Sequence, residues 1–345
     1  MSQLYIPNKK IAIASSFEGV VNNGAKECAF VSLNAYQKLV DQRKTPGAGF
    51  FGREITPDEF RNSDSVRNSN IVRFFLKMRP VVAVAEDYHT VLMVGMLYDH
   101  VVNDLVGDKS KEFFNKDAAV EFFCNEFKRT KAQTQKERGY FKVEFDAERK
   151  LQQEKDYKSW LALQKPYMDT LEQLRILNGL KKEAGDKNYT GFVLYYVTSK
   201  DEASTYQLCT VYGEFNLFKN GEIGGISFDR EKDWPKFFES LQTCIITQDR
   251  IIGTGRVAGA DKVGQMKLAA EQEGVPHSQI FRLNDRYDPD EVVQLKAAGF
   301  EHNFVVTGGY AFSQDYENAR TAGIPVIEKS KLAETLSAYA REKGF

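Results

Sequence analysis

The sequence predicts an α/β protein in which a parallel sheet with flanking helices is interrupted by a long helical insertion. Short apolar runs rich in Val and Ile recur along the chain and end at Gly or small polar residues, as buried strands of parallel sheets do. Segments with helical spacing separate these runs, which indicates right-handed crossovers between parallel strands. From residue 81 to about 180 Gly and Pro are scarce and apolar residues recur at steps of three and four, so this stretch is predicted to be helical.

The first strand is predicted at the start of the stretch 10–21, an apolar run that ends at Ser16 and is followed by a tight turn at Gly19. The carboxyl ends of such strands are where open α/β sheets bind their ligands. Downstream, the pattern predicts a helix over 25–40, turns and short helical pieces over 41–70, and a helix over 70–78.

Inside the insertion, apolar residues recur at steps of three and four, the spacing of helices with one buried face. Aromatic side chains follow the same spacing and are interpreted as core rather than as a ligand-binding box. The predicted helices cover 86–106, 117–129, 142–163 and, beginning at Pro166, the segment to about 180. The resulting prediction is a core domain of 1–80 and 186–345 and a helical insertion of 81–185.

After the insertion, strands and helices alternate again. Strands are predicted over 191–197, 279–283, 303–306 and 324–327, with short apolar pieces at 244–247 and 251–252. A helix is predicted after the strand 191–197 and ends at 211, and another is predicted after the turn at 284–288 and ends at 299. Further helices are predicted over 234–241, 261–273, 316–322 and 331–343.

Composition narrows the function classes. The formal net charge is −1, so no global field would attract nucleic acid or an anionic membrane. The four cysteines are scattered without a CxxC pair, as is typical of reduced thiols in a cytoplasm, and the four histidines do not cluster as zinc ligands would. No apolar stretch reaches the ~18 residues of a membrane span. We therefore expect a cytoplasmic protein without a nucleic-acid or membrane partner.

Polar and charged residues follow the predicted strands in a particular order. Glu18 and the turn residues after Ser16 come first, then Thr198 and Ser199 after the strand that follows the insertion, Lys262 at a helix start, and Asn284, Asp285 and Asp288 after the next long strand. The sequence Ala-Arg-Thr-Ala-Gly-Ile-Pro closes the series at 319–325. This order, over nearly the whole chain, resembles the phosphatases of the haloacid dehalogenase (HAD) superfamily that carry a helical cap. The resemblance implies a Rossmann-like core with the insertion as its cap.

The resemblance also implies roles for these residues. In the family an Asp-x-Asp motif supplies the nucleophile and the general acid/base, and Ser16 and Glu18 stand in those positions here. The family's phosphate-binding residues correspond to Thr198, with Ser199 beside it, and Lys262, and its Mg²⁺ ligands correspond to Glu18, Asp285 and Asp288. The implied ligand is a phosphomonoester, and the implied cofactor is Mg²⁺.

The departure at the first motif has chemical consequences. A serine is a poor nucleophile without an adjacent base, and its phosphoester would be stable, whereas an aspartyl-phosphate hydrolyses readily. Losing a carboxylate also removes a charged oxygen from a site for Mg²⁺, which depends on such ligands. Glu18 reaches one methylene further than Asp, and a misplacement near 1 Å can cost on the order of 10²-fold in rate. The sequence therefore predicts weak or absent phosphatase turnover and weakened Mg²⁺ binding.

Three functional hypotheses follow from the sequence. In the first, the protein binds a phosphorylated small molecule or a protein partner without turnover. In the second, it is an active Mg²⁺-dependent phosphomonoesterase with a rewired site, in which Glu18 or Asp285 is the base. In the third, its helical insertion is an interaction scaffold. Each site residue also has a structural interpretation: Ser16 at a strand end, Thr198 and Ser199 as a helix N-cap, Lys262 at the surface, and Asp285 and Asp288 in a turn and a cap.

Overall fold

The computed structural model describes residues 4–99, 102, 116–183, 189–214, 246–257 and 261–345. The chain divides into two compact units. The helical unit is Gly24–Gln164, and the α/β unit is Met1–Asn23 together with Lys165–Phe345. Within the described ranges, no helix combines the length and the apolar character that crossing a membrane requires.

The helical unit packs its helices around a core rich in aromatic side chains. Phe74, Phe123, Phe141 and Phe145 are completely buried in this core, which confirms the interpretation of the aromatic stripes. The helices are α1 (Ala25–Asp41), α2 (Pro57–Asn62), α3 (Asp64–Arg67), α4 (Asn70–Met78), α5 (Asp87–Leu97), α6 (Lys116–Gln133), α7 (Gln135–Lys155) and α8 (Tyr157–Leu161), with a 3₁₀ turn at Arg79–Val81.

The prediction of one continuous helix over 142–163 is wrong. The chain breaks at Asp156, where φ is −149° and ψ is 71°, and a new helix begins. The Asp156 side chain caps that helix, α8, by accepting the backbone N–H of Ser159 at 3.0 Å. In the region predicted as a helix over 86–106, α5 ends at Leu97, and most of the segment beyond Tyr98 lies outside the described residues.

The α/β unit is built on a sheet that contains seven strands among the described residues. Its order is β4–β5–β1–β7–β8–β9, with β6 beside the end of β5, and all pairings are parallel except that of β4 with β5. This sheet with flanking helices confirms the predicted α/β, Rossmann-like class. The strands are β1 (Lys10–Ser16), β2 (Asn22–Asn23), β3 (Lys165–Pro166), β4 (Lys181–Glu183), β5 (Tyr189–Val197), β6 (Ile251–Ile252), β7 (Ile280–Asn284), β8 (His302–Val306) and β9 (Val326–Ile327), of which β2 and β3 form a separate antiparallel pair.

The register of the sheet sets which residues meet at its carboxyl edge. Central strand β1 pairs Ser16 with Val197 at the end of β5, and it pairs Ser15 with Leu283 near the end of β7. Three neighbouring strands therefore end at the same level, and the residues that follow them lie at one edge.

The helices of the α/β unit are α9 (Met168–Gly179), α10 (Glu202–Glu214), α11 (Lys262–Glu273), α12 (Pro289–Ala297), α13 (Ser313–Thr321) and α14 (Leu332–Glu342). The predicted strand over 324–327 is shorter than expected, since only Val326 and Ile327 pair with β8. Of the predicted apolar piece 244–247, residues 244–245 lie outside the described residues and 246–247 are not in a strand; the predicted helix over 234–241 also lies outside.

The unit boundaries differ from the predicted domain boundaries. The structure divides the chain after Asn23 and after Gln164, whereas the sequence predicts an insertion of 81–185. Helix α1 packs against α4, α5 and α7, so the segment before residue 80 belongs with the helices. Conversely, β3 pairs with β2, and α9 packs against α14 and β5, so the segment from Lys165 belongs with the sheet.

Candidate functional site

The candidate site lies at the carboxyl edge of the sheet in the α/β unit. Lys262 is the first residue of α11, and its Nζ lies 3.4 Å from the carbonyl oxygen of Val197 and 3.0 Å from Oε1 of Gln265. Gln265 in turn donates from Nε2 to the carbonyl oxygen of Thr198 at 2.8 Å. The start of α11 is thus held against the end of β5, beside the strand that ends at Ser16.

Ser16 is held by hydrogen bonds from both sides of its hydroxyl. Its Oγ donates to Oδ1 of Asn284 at 3.1 Å and accepts from Nη1 of Arg282 at 3.0 Å. Oδ1 of Asn284 also accepts the backbone N–H of Asp285 at 3.0 Å, and two donors on this oxygen fix the orientation of the amide. An amide oxygen does not act as a base, so the proton acceptor of Ser16 cannot activate it as a nucleophile.

Arg282 is a site residue that the sequence does not single out. It lies in β7 with only 1% of its surface exposed. Besides Ser16, its Nη1 contacts the carbonyl oxygen of Leu283, and its Nη2 forms an ion pair with Oε1 of Glu291 at 3.1 Å. The available signal is a charged residue inside the apolar run of β7, since charges are buried only when they are paired.

Glu18 forms contacts with three side chains of the α/β unit. Its Oε1 lies 3.2 Å from Nζ of Lys200 and accepts from Nδ2 of Asn22 at 3.2 Å, and its Oε2 accepts from the hydroxyl of Tyr310 at 3.1 Å. Lys200 and Tyr310 are both buried. Neither is singled out by the sequence, although Lys200 directly follows the Thr198–Ser199 pair.

The side chain of Asp285 is closely surrounded by backbone atoms of the turns after β1 and β8. Its Oδ2 accepts the N–H of Tyr310 at 2.8 Å. A Cβ on Gly19, where φ is +83°, would lie 2.0 Å from that same oxygen, and a Cβ on Gly309 would lie 2.4 Å from the Asp285 Cβ. Both glycines therefore allow the carboxylate to approach the turns after β1 and β8.

The side chains of Thr198 and Asp288 accept hydrogen bonds from nearby backbone N–H groups, and Ser199 is at the surface. Oγ1 of Thr198 accepts the N–H of Lys200 at 3.0 Å, while Ser199 is exposed. The N-cap of α10 is Asp201, so the interpretation of Thr198 and Ser199 as that cap is wrong; Oδ1 of Asp201 accepts the N–H of Ser204 at 2.7 Å. Asp288 caps α12, because its Oδ1 accepts the N–H groups of Asp290 and Glu291, each at 3.1 Å.

The sequence-predicted metal ligands do not converge. Within the described ranges, no group of three His, Cys, Asp or Glu side chains is placed to hold a metal ion. Glu18 lies against Lys200, Asp285 accepts the Tyr310 N–H, and Asp288 caps a helix. The structure thus brings Ser16, Thr198, Lys262 and Asp285 to one edge of the sheet but does not assemble the three carboxylates into a ligand set.

Two lysines at this edge have pKa values close to neutrality. Burial, reinforced by the nearby positive charge of Arg282, lowers the pKa of Lys262 to about 7. Lys329 lies over the ring of Tyr167, and its Nζ is 3.2 Å from the carbonyl oxygen of Gly19 and 3.0 Å from that of Gly308. Burial also lowers the pKa of Lys329 to about 7, although Asp285 acts in the opposite direction.

The charges at this edge favour an anion. Lys200 and Arg282 form ion pairs with Glu18 and Glu291, whereas Lys262 and Lys329 contact backbone carbonyl oxygens and add positive charge when they are protonated. Since hydrogen-bond donors with positive charge are the groups that bind phosphate oxygens, the chemistry of the site suits a phosphorylated ligand.

Comparisons with known proteins give matches among solved structures. No family model matches the chain, and no curated protein matches it. The chain is similar to a haloacid dehalogenase-like family hydrolase from Streptococcus pneumoniae, with 13% identity and a TM-score of 0.44 over 95% of this chain and 98% of the other. It is also similar to a predicted phosphatase from Clostridium acetobutylicum, with 14% identity and a TM-score of 0.38 over 97% of this chain and 99% of the other.

Proposed function

We propose that this protein has a HAD-like phosphatase core that binds a phosphorylated ligand and hydrolyses it weakly or not at all. The observation that carries the proposal is the hydrogen bonding of Ser16, whose hydroxyl lies between Arg282 and the Asn284 amide. At the position where the HAD resemblance places a carboxylate nucleophile the chain has a serine, and within the described ranges no base contacts its hydroxyl.

Binding is supported by the positive charge at the same edge. Lys262 lies at the N-terminus of α11, where the helix dipole also favours an anion, and Arg282 lies behind Ser16. An anion in this place would meet charged donors without needing a covalent step.

The alternative hypothesis of an active phosphomonoesterase requires Glu18 or Asp285 to act as a base. Glu18 is within 3.2 Å of the Lys200 ammonium, and Asp285 accepts the Tyr310 N–H. Each carboxylate is thus already engaged by a donor of the protein, and the hydrogen bonds of the Ser16 hydroxyl go to Arg282 and Asn284 rather than to either carboxylate. These contacts favour binding over turnover.

The first test measures phosphate release from a panel of phosphomonoesters with Mg²⁺ present. We expect release at the background rate for the natural chain. Release above background that Asp285→Asn abolishes would show that the protein is an active phosphatase and that the proposal of weak or absent turnover is wrong.

The second test measures binding of inorganic phosphate by calorimetry. We expect a Kd of about 1 mM, the range of a single small anion held by a few charged donors. Lys262→Met should weaken binding by roughly tenfold, the effect of one charge-assisted contact. Lys267→Met is the matched control, because Lys267 is an exposed lysine on the same helix and should leave Kd unchanged. Equal effects of the two substitutions would place the anion elsewhere.

A further inference from the structure

We infer that Arg282 takes the place of the divalent cation, so that this site holds its anion without a metal ion. The inference deepens the proposed function, and its claim about the anion rests on that proposal. Arg282 is a positioning residue here, because it acts through Ser16 and is itself only 1% exposed.

The guanidinium contacts the same side-chain oxygen that would have to bind a metal ion at position 16. A Mg²⁺ ion held by an oxygen at position 16 would lie about 2.1 Å from that oxygen. Nη1 of Arg282 lies 3.0 Å from Oγ of Ser16. Two cations within reach of the same oxygen repel each other strongly in a site with little water, and the arginine is covalently fixed.

The guanidinium is also fixed in position. Its Nη2 pairs with Glu291 at 3.1 Å, and its Nη1 contacts the carbonyl oxygen of Leu283 in its own strand. A buried arginine with these partners cannot move toward solvent without leaving Glu291 and the carbonyl oxygen without their donor. The guanidinium behind Ser16 is therefore held in place by the fold.

The oxygen ligands do not fit a Mg²⁺ ion either. This ion requires near-octahedral oxygen ligands at about 2.0–2.1 Å. Oδ2 of Asp285 accepts the Tyr310 N–H and lies against the Gly19 backbone, and Asp288 uses its Oδ1 as a helix cap. Glu18 is beside the ammonium of Lys200. The residues present thus suit an anion and disfavour a divalent cation.

An arginine in this position supplies part of what a metal ion would supply. Because Arg282 is buried behind Ser16, what it supplies to an anion at this edge is its positive charge rather than a direct hydrogen bond. This charge attracts a bound phosphate but does not activate a water molecule, because a guanidinium is not a Lewis acid for water. Binding without hydrolysis follows from this exchange.

The binding experiment compares the affinity for inorganic phosphate in EDTA with that in excess Mg²⁺. We expect the two Kd values to agree within about twofold. Arg282→Met combined with Glu291→Gln removes the ion pair as a unit, and we expect it to weaken binding at least tenfold, a loss that Mg²⁺ does not restore. Arg282→Lys keeps the charge and should recover part of the affinity, which a purely structural role would not predict. Glu291→Gln alone keeps the charge of Arg282 and should bind phosphate more tightly than the double variant.

A second readout does not depend on phosphate. Mn²⁺ serves as a probe of divalent-cation binding by electron paramagnetic resonance, and the natural chain should show no bound Mn²⁺ at this site. Ser16→Asp combined with Arg282→Met adds a carboxylate, removes the cation and should bind Mn²⁺, with a melting curve of each variant to verify folding. Mn²⁺ binding by the natural chain, or phosphate binding that requires Mg²⁺, would overturn the inference. Absence of phosphate binding under both conditions, with Mn²⁺ still excluded, would instead count against the proposed function alone.

Discussion

At the scale of single residues, Lys262 shows how surroundings can set a charge near neutral pH. Its Nζ contacts the carbonyl oxygen of Val197, and burial together with Arg282 lowers its pKa to about 7. A solvated lysine keeps its charge up to a pH of about 10. The attraction of this site for an anion should therefore change within the neutral range.

The affinity for sulfate is expected to fall as the pH rises from about 6 to about 9. Below the lowered pKa the Lys262 ammonium is protonated and attracts the anion, and above it the neutral amine does not. Sulfate is the suitable probe because its own charge does not change in this range. Calorimetric Kd values across the series measure the effect, and Lys262→Arg should flatten the curve because arginine stays charged. An unchanged slope in that variant would assign the titration to Lys329, whose pKa is also about 7.

Gly19→Ala is expected to destabilise the protein and to displace Asp285. The residue has φ +83°, and the new Cβ would lie 2.0 Å from Oδ2 of Asp285. Strain at such a backbone angle costs about 1–3 kcal/mol, and the clash adds to it. The matched control is Gly323→Ala, where φ is +72° but no atom lies within 4 Å of the added Cβ. Urea denaturation of both variants separates the cost of backbone strain from the cost of the clash. Equal losses of stability would mean that the backbone around Asp285 is not tightly packed.

At the scale of elements, substitutions of Asp288 can test whether its carboxylate caps a helix or binds a metal ion. Its Oδ1 accepts the N–H groups of Asp290 and Glu291 at the start of α12. Asp288→Ala should cost about 1 kcal/mol in the free energy of unfolding, as the loss of an N-cap does. Asp288→Asn keeps the cap and removes the charge, so it should be nearly neutral both in stability and in phosphate affinity. A large loss of phosphate affinity in the Asn variant would show that the charge of Asp288 serves the anion site and not only the helix.

Helices α1 and α7 are joined by a buried ion pair. Glu27 is completely buried, and Arg149 donates to its two carboxylate oxygens at 2.7 and 3.1 Å. Arg149→Met should cost about 3–5 kcal/mol, because it leaves a buried carboxylate without its main counter-charge. Glu27→Gln together with Arg149→Met should recover part of that loss in urea denaturation. Lys142→Met, which breaks an exposed pair with Asp146, is the control and should have little effect.

At the scale of the whole molecule, the sheet can be predicted from the sequence and the unit boundary cannot. The strands are recognisable because their apolar runs are continuous, with Ile11 and Ala12 in β1 and Val193 in β5 completely buried. Helix α1 is buried on nearly all its faces, and that pattern is shared by a helix that covers a sheet and a helix inside a bundle. Its membership in the helical unit depends on packing against α4, α5 and α7, which no local pattern reveals.

The site is predictable to a similar degree. Ser16, Thr198 and Asp285 could be placed at one edge because parallel strands end together there. The hydrogen-bond partners of these residues could not be predicted. Ser16 is contacted by the side chain of Arg282 from the neighbouring strand β7, and Asp285 accepts the backbone N–H of Tyr310, which is distant in the sequence. Local sequence indicates that a charge is buried, whereas only the fold shows its partner.

The connection between the two units leads to a prediction about folding. The segment Gly24–Gln164 leaves the α/β unit after β2 and returns at β3, and these strands pair Asn23 with Lys165. Because the ends of the segment are neighbours in an antiparallel pair, a short Gly/Ser linker can replace it at little entropic cost, since closure entropy grows only slowly with loop length. We expect the shortened chain to fold, to unfold cooperatively in urea and to retain mixed α/β circular dichroism.

The same shortened chain should bind inorganic phosphate with the Kd of the full chain within about threefold, because every residue of the candidate site lies in the α/β unit. Lys262→Met in the shortened background is the matched control and should weaken binding as it does in the full chain. A shortened chain that folds but does not bind phosphate would show that the helical unit contributes residues to the site. A chain that fails to fold would show that the sheet depends on the helical unit for its stability.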